Sequence, residues 1–298
     1  MNIVSENIDY SLHTHSVGFD GRDSVDNMVK VARANGIKTL GFSNHFIVHP
    51  YIKKSPMYNY AKNLGYENIY SDNVDKTIEM FLKHYQEVRD ARQKNPDMDI
   101  LCGMEMDLFK NWWCIDAANY AVRVLEPDYV IGAHHFLEWY DGRLMNIHDI
   151  MYGDTEETGH MLRKYYQFFD DDFVDLIKRN LKFDVNFFAH IDLPRKVGAY
   201  NPVMEKYAVE KLAKIGIPLE LNSSLIQSED YGAKSKEKPV FEAMAKTNVP
   251  VLFSDDAHGI AGIKKGAEAV FDMAQKSNIK NICTKSADLP RFIHLKSR

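Results

Sequence analysis

Short apolar runs of strand length alternate with longer amphipathic segments from one end of this 298-residue chain to the other. That alternation is the pattern of βα units built around a parallel sheet. Seven runs qualify as strands: 8–12, 39–43, 100–104, 129–133, 183–189, 217–221 and 249–253. Helical periodicity occupies 24–35, 74–93, 117–125, 157–179, 203–215, 237–246 and 265–276. In the first helical segment Val25, Met28, Val29 and Ala32 form an apolar stripe, and Gly36 supplies a left-handed stop. No Gly/Ser/Pro linker, composition shift or internal repeat divides the chain, so one α/β domain over 1–298 is expected. The stretch 46–70, rich in Tyr, Asn, Lys and Pro, is too long for a plain connection. It reads as a rim or lid loop beside whatever binds.

In parallel α/β architectures the functional site lies at the C-terminal ends of the strands, where the loops gather. Metal-ligand residue types concentrate there in this chain. The first strand ends in His13-Thr14-His15, with Asp20 five residues on, and the i, i+2 spacing sets both imidazoles on one face. The second runs into His45, the third into Glu105, the fourth into His134-His135, the fifth into His190 and Asp192, and the seventh into Asp255-Asp256-Ala257-His258. Only the sixth, ending Glu220-Leu221-Asn222, brings no histidine.

Six strand ends of one barrel converge on a space of a few side chains. Without cations, that many imidazoles and carboxylates would leave several buried polar groups unpaired, at roughly 1–3 kcal/mol each. Metal ions are therefore expected, and a mixed N/O donor set suits zinc, iron or manganese rather than calcium or magnesium. Asp256 and His258, two apart, share a face, whereas Asp255 points the other way. Alternation does not choose between His134 and His135, because parallel strands are buried on both faces. The remaining histidines, His49, His84, His148, His160 and His294, fall in loops or on polar helix faces and are expected to be solvated.

The formal net charge is −5, with no basic block, so neither nucleic acid nor an anionic membrane is an expected partner. No signal-peptide pattern or membrane-length apolar run is apparent. Cys102, Cys114 and Cys283 are too few and scattered for a disulfide framework and fit a reducing cytoplasm. A small-molecule substrate is expected, and oligomeric state is not readable.

The runs His13-Thr14-His15-Ser16 with Asp20-Gly21, Ser43-Asn44-His45, Gly103-Met104-Glu105, Ile131 to Phe136, Ala189-His190-Ile191-Asp192 and Ser254 to His258 together resemble the polymerase-and-histidinol-phosphatase (PHP) superfamily, across nearly the whole chain. The segment before Glu105 and the run 190–196 resemble its histidinol-phosphate phosphatase branch. The resemblance implies a distorted, TIM-like (β/α)7 barrel holding two to three divalent transition metals. It implies one metal on His13, His15, Glu105 and Asp256, a second on Glu105, His135 and His190, and a third on Asp20, His45 and His258.

The implied activity is phosphomonoester hydrolysis, with L-histidinol phosphate as the leading substrate, by in-line attack of a hydroxide bridging the metals. Glu105, Asp256 and His258 would stand at the chemistry. Arg195 and Arg163 would bind phosphate oxygens, and Asp192 would orient His190 or cap its loop. The segment 220–229 is neutral to acidic where the branch usually carries a Thr- and Gly-bearing segment with a basic residue nearby, which leaves the substrate open. A PHP-type phosphodiesterase or exonuclease acting on nucleotides is one alternative, and a non-catalytic metal-binding barrel is another.

Overall fold

The computed structural model describes residues 8–139, 142–152, 155–199, 201–226 and 239–296. Its strands are β1 (Tyr10–Ser11), β2 (Thr39–Phe42), β3 (His45–Val48), β4 (Tyr70–Ser71), β5 (Asp99–Asp107) and β6 (Tyr129–Ala133), followed by β7 (Phe136–Glu138), β8 (Leu144–Asn146), β9 (Phe187–Phe188), β10 (Leu219–Asn222), β11 (Val251–Ser254) and β12 (Ile282–Cys283). Eight of them pair in parallel in the order β1-β2-β5-β6-β9-β10-β11-β12. The sheet curls until its ends meet. The His15 N–H donates to the Ala257 carbonyl at 2.9 Å and the Ala257 N–H to that of His13 at 3.1 Å. At the opposite end the Tyr10 hydroxyl donates to the Cys283 carbonyl and accepts from the Phe253 N–H, each at 3.0 Å. The seven expected strand regions thus form a distorted TIM-like barrel, with β12 added beside β11.

The strands are buried on both faces, as a helix-covered parallel sheet requires. Inside, Tyr129 crosses the barrel to donate to the Leu12 carbonyl. Only glycine fits beneath it: a Cβ on Gly41 would lie 2.0 Å from its hydroxyl, and one on Gly103 2.2 Å from its ring. Outside, Ser24 caps the helix Val25–Ala34 by accepting from the Asn27 N–H, and Gly36 turns left-handed at φ 76°.

Two expectations need correction. The segment 46–70 is not a loop: it holds β3, a 3-10 turn at Ile52–Lys54, the helix Pro56–Leu64 and β4, with β3 paired to both β4 and β5. Ser55 caps that helix, Pro56 occupies its first position and Gly65, at φ 81°, ends it. The single helix expected over 157–179 is broken into Thr155–Gln167 and Asp171–Asp175, the latter continued by a π turn at Leu176–Asn180. Asp170 restarts the chain by accepting from the Phe173 N–H at 3.0 Å, while Phe168, Phe169 and Phe173 pack together against the barrel. Among the described residues no helix is long and apolar enough to cross a membrane.

Candidate metal centre

Glu105 lies near the C-terminal end of β5, fully buried, with its N–H shared between the Ser43 and Asn44 carbonyls at 3.1 Å. Five imidazoles surround its carboxylate. Oε2 faces His13 Nε2 at 3.2 Å, His15 Nε2 at 3.5 Å and His45 Nδ1 at 2.8 Å. Oε1 faces His190 Nε2 at 2.9 Å and His135 Nε2 at 3.5 Å. Two further carboxylates flank this core. Asp256 Oδ1 stands 3.2 Å from His15, 3.5 Å from His258 and 3.6 Å from His13. Asp20 stands 3.1 Å from His258, 3.3 Å from His45 and 3.4 Å from His15. All nine residues singled out as metal ligands in the sequence converge here.

Their donor atoms fall into four sets, each within 4.8 Å: His15, Asp20, His45 and His258; His13, Glu105 and His190; His13, His15 and Asp256; His45, Glu105 and His135. His13, His15 and His45 each belong to two sets, a sharing that the motif order did not suggest. Several of these atoms are buried with no hydrogen-bond partner: His13 Nε2, both nitrogens of His15, His45 Nδ1, Glu105 Oε2 and Asp20 Oδ1. Buried polar atoms are rarely left so. Imidazole nitrogens and carboxylate oxygens converging this way fit divalent transition cations, and the residues present can hold them. The backbone is bent to suit, with His190 at φ 24° and Asp256 at φ 46°. Such angles cost about 1–3 kcal/mol in residues other than glycine and cluster at functional sites.

Two acids behind the cluster escaped the sequence reading. Glu220, on β10, sets Oε1 2.6 Å from His13 Nδ1, while its Oε2 accepts from the His190 N–H at 2.8 Å. Asp107 stands 3.3 Å from His135 Nδ1 and accepts from the His135 N–H at 2.9 Å. Asp107 is two residues beyond Glu105 on the same strand, so the alternation that pairs His13 with His15 could have found it. Glu220 stands at the end of the sixth expected strand, so its position is legible while its partner His13, far off in the chain, is not.

Electrostatics divide the cluster. Burial pushes the Glu105 carboxyl up, but His45, His13 and His135 together hold it well below the usual carboxylate range. The same competition leaves Asp20 and Asp256 low, against their own burial, through His45, His15 and His258 and through His13, His15 and His258 respectively. Burial likewise opposes protonation of His13 and His45, yet the carboxylates beside them raise both well above the ordinary imidazole value. His15 goes down, by burial and then by its neighbour His258.

A family model of the PHP domain matches residues 9–224. The chain belongs to the PHP domain family. No curated protein matches its sequence. Among solved structures, a putative histidinol phosphatase from Listeria monocytogenes shares 15% identity at a TM-score of 0.64, over 87% of this chain and 99% of its own. A histidinol phosphate phosphatase from Lactococcus lactis, complexed with zinc, L-histidinol and phosphate, shares 17% identity at the same TM-score, over 93% of this chain and 96% of its own. These likenesses are likenesses of fold.

In this PHP domain the two arginines expected at phosphate lie elsewhere. Arg195 is buried in a two-pronged ion pair with Glu205, at 2.8 and 2.7 Å, so its guanidinium is held inside the protein. Arg163 is exposed on the helix Thr155–Gln167 and does not line the cavity over the cluster. That cavity, about 560 Å³, is lined by Asp20, His45, His135, His190, Asp256 and His258 of the cluster. Ile47, Pro56, Met57, Tyr60, Tyr66 and Tyr70 add an apolar and aromatic wall, and Asn146, His148, Asp149, Leu193 and Lys196 complete it. Lys196, next to Arg195, is the one lysine or arginine among the described lining residues.

The histidines sort differently from expectation. His134 points away from the cluster and stacks on Phe168 at 3.8 Å. His49 is buried, with Nε2 2.9 Å from Glu138 Oε1, and His84 is buried beside Asn44. His148 lines the cavity, while His160 and His294 are exposed as expected. Asp192 heads the 3-10 turn Leu193–Val197, but its side chain makes no capping hydrogen bond to that turn. Asp255 faces away from the cluster, accepting from Ser11 Oγ and the Lys264 N–H. Residues 227–229 of the departing sixth segment lie outside the described residues.

Proposed function

We propose that this PHP domain is a metal-dependent phosphomonoesterase that hydrolyses a small phosphate ester, L-histidinol phosphate, to L-histidinol and phosphate. The observation that carries the proposal is the Glu105 carboxylate with imidazoles against both of its oxygens, beside a cavity sized for a small molecule. The Lactococcus lactis relative, with zinc, L-histidinol and phosphate bound, supports the same ligand class. Two to three zinc, iron or manganese ions would be held by His13, His15, Glu105 and Asp256, by Glu105, His135 and His190, and by Asp20, His45 and His258.

When bound, such cations offset the charge of a phosphate dianion and make nearby water more acidic. The protein's own residues do the rest. Glu105 offers one oxygen to each of two sets of imidazoles, so it fixes their spacing. Glu220 holds His13 by the nitrogen that faces away from Glu105, and Asp107 holds the His135 N–H with its other oxygen beside that ring. Asp256 and His258 line the cavity and would face the phosphate, and Lys196 would take an outer phosphate oxygen. The wall of Ile47, Met57, Tyr60, Tyr66 and Tyr70 limits water around the ester. All three cysteines are free and buried, in keeping with a cytoplasmic enzyme.

The test is phosphate release from L-histidinol phosphate, other small monoesters and a nucleotide diester, before and after chelation and after reloading with each metal. Activity that chelation removes, reloading restores and L-histidinol phosphate maximises is expected. Undiminished turnover by metal-free protein, or faster cleavage of the diester, would overturn the proposal.

A further inference from the structure

Among the described lining residues of the cavity, Asp149 is the one carboxylate that does not belong to the metal cluster. Lys196 lines the cavity, and its charge acts on His148 as do those of His135 and His190. Asp149 also lines the cavity, but no lysine or arginine among the described residues pairs with it. Its Oδ2 accepts from the Asn146 N–H at 2.8 Å, which fixes the side chain and leaves the other oxygen with no hydrogen-bond partner among the described residues. Tyr70 lines the cavity as well. Met57 and Tyr66 line the same cavity.

A ligand with its phosphate at the cluster would share the cavity with the Asp149 carboxylate. We infer that Asp149 receives a protonated amine of the substrate, so that this domain selects phosphate monoesters of cationic amino alcohols over neutral ones. The inference rests on the phosphomonoesterase reading and adds to it the residue that chooses the leaving group. A half-buried carboxylate without a cation is costly, and burial pushes the Asp149 carboxyl up. An ammonium group brought by the ligand removes that cost at the moment of binding, in the form of a charge-assisted hydrogen bond.

The variant that tests it is Asp149→Asn. The amide oxygen can still accept from the Asn146 N–H, so the local turn is kept while the charge is lost. Wild type and variant, both metal-loaded, are assayed on L-histidinol phosphate and on the same ester lacking only its amino group. The wild type should prefer the amine-bearing ester by about 10- to 100-fold in kcat/KM, the worth of a charge-assisted contact. Asp149→Asn should erase that preference, mainly through KM, with the amine-free ester changed less than about threefold. Asp149→Glu should restore part of it.

Equal losses on both esters, or no change on either, would overturn the assignment. A wild type that hydrolyses both esters equally well overturns it too, while the phosphomonoesterase reading stands. Hydrolysis of neither ester overturns both.

Discussion

Glu220 Oε1 lies 2.6 Å from His13 Nδ1, with both side chains fully buried. This contact directs the other ring nitrogen, Nε2, toward Glu105 and Asp256 and fixes which nitrogen is available to a cation. The second oxygen of Glu220 accepts from the His190 N–H and from Asn222 Nδ2. Every neighbour of this carboxylate is a donor, so a Gln amide in its place must turn its NH2 against one of them. Glu220→Gln should weaken metal binding about 10- to 100-fold, read by titration with zinc against a chelator of known affinity. Unchanged affinity would show that His13 orients itself.

The neighbours His134 and His135 should separate cleanly. His135 sits against Glu105 and Asp107, so His135→Ala should lose metal and lower kcat by at least about 100-fold. His134 is 3% exposed and packed among Tyr165, Phe168 and Phe169. His134→Ala leaves a hole there and should cost about 2–4 kcal/mol of stability, with metal content unchanged. Urea unfolding and metal analysis of both variants check this, and a stable but metal-free His134→Ala would reverse the assignment.

The barrel and its strand-end donors are legible in the sequence because both rest on short-range rules. A run such as 100–104 declares a strand by composition, and the chain that leaves it declares the loop side, so Glu105 can be placed without knowing its neighbours. Roles that depend on which strands lie across the barrel are not legible. Glu220 reaches His13 across 207 residues of chain, and no periodicity reports that. Arg195 and Lys196 are adjacent cations on one loop, and only the position of Glu205 decides which one faces inward. The helix Pro56–Leu64 is legible by its own signals, since Ser55-Pro56 and Gly65 mark its ends and Met57, Tyr60, Ala61 and Leu64 repeat at helical spacing, but the polar and Pro-bearing composition of 46–70 masks them.

Arg195 and Lys196 should therefore fail in different ways. Arg195→Met strands Glu205, which is fully buried, and should cost about 3–5 kcal/mol. The double variant Arg195→Met/Glu205→Leu removes the stranded charge and should recover most of that loss. Lys196→Ala should leave stability within about 0.5 kcal/mol, as for other exposed sites, and raise KM several-fold. Thermal unfolding and steady-state kinetics on the three proteins distinguish these outcomes; a stable, catalytically crippled Arg195→Met would return Arg195 to the substrate.

His84 should give acid sensitivity independent of the metals. Asn44 Oδ1 accepts from the Ser16 N–H at 2.8 Å, which turns its NH2 toward His84 Nε2 at 2.9 Å. The imidazole must therefore be neutral at that nitrogen, and burial holds its pKa down, from 6.5 to about 4. The unfolded chain takes up this proton near pH 6.5 and the folded one only near 4. The stability contributed is complete above about pH 6.5 and declines as pH falls toward 4, reaching a loss of about 2 kcal/mol by pH 5. His84→Gln keeps an acceptor that does not titrate. The stability difference between pH 7 and pH 5, measured by urea unfolding of chelator-treated proteins, should shrink by about that amount in the variant, and an identical pH dependence would exclude His84 as its source.

Metal uptake should in turn expel protons. The carboxylates around them raise His13, His45, His190 and His258 above the ordinary imidazole value, although burial opposes this. These rings carry protons without metal, and a cation must displace them to reach the nitrogen. A proton that leaves on binding makes apparent affinity rise with pH, and makes it fall as acid returns the protons. Calorimetry of zinc binding in two buffers of different ionisation enthalpy counts the protons released. At least about one per ion is expected near neutrality, with more at pH 6 than at pH 8. A count of zero at both values would mean that the imidazoles are already neutral and that the carboxylates alone tune the cluster.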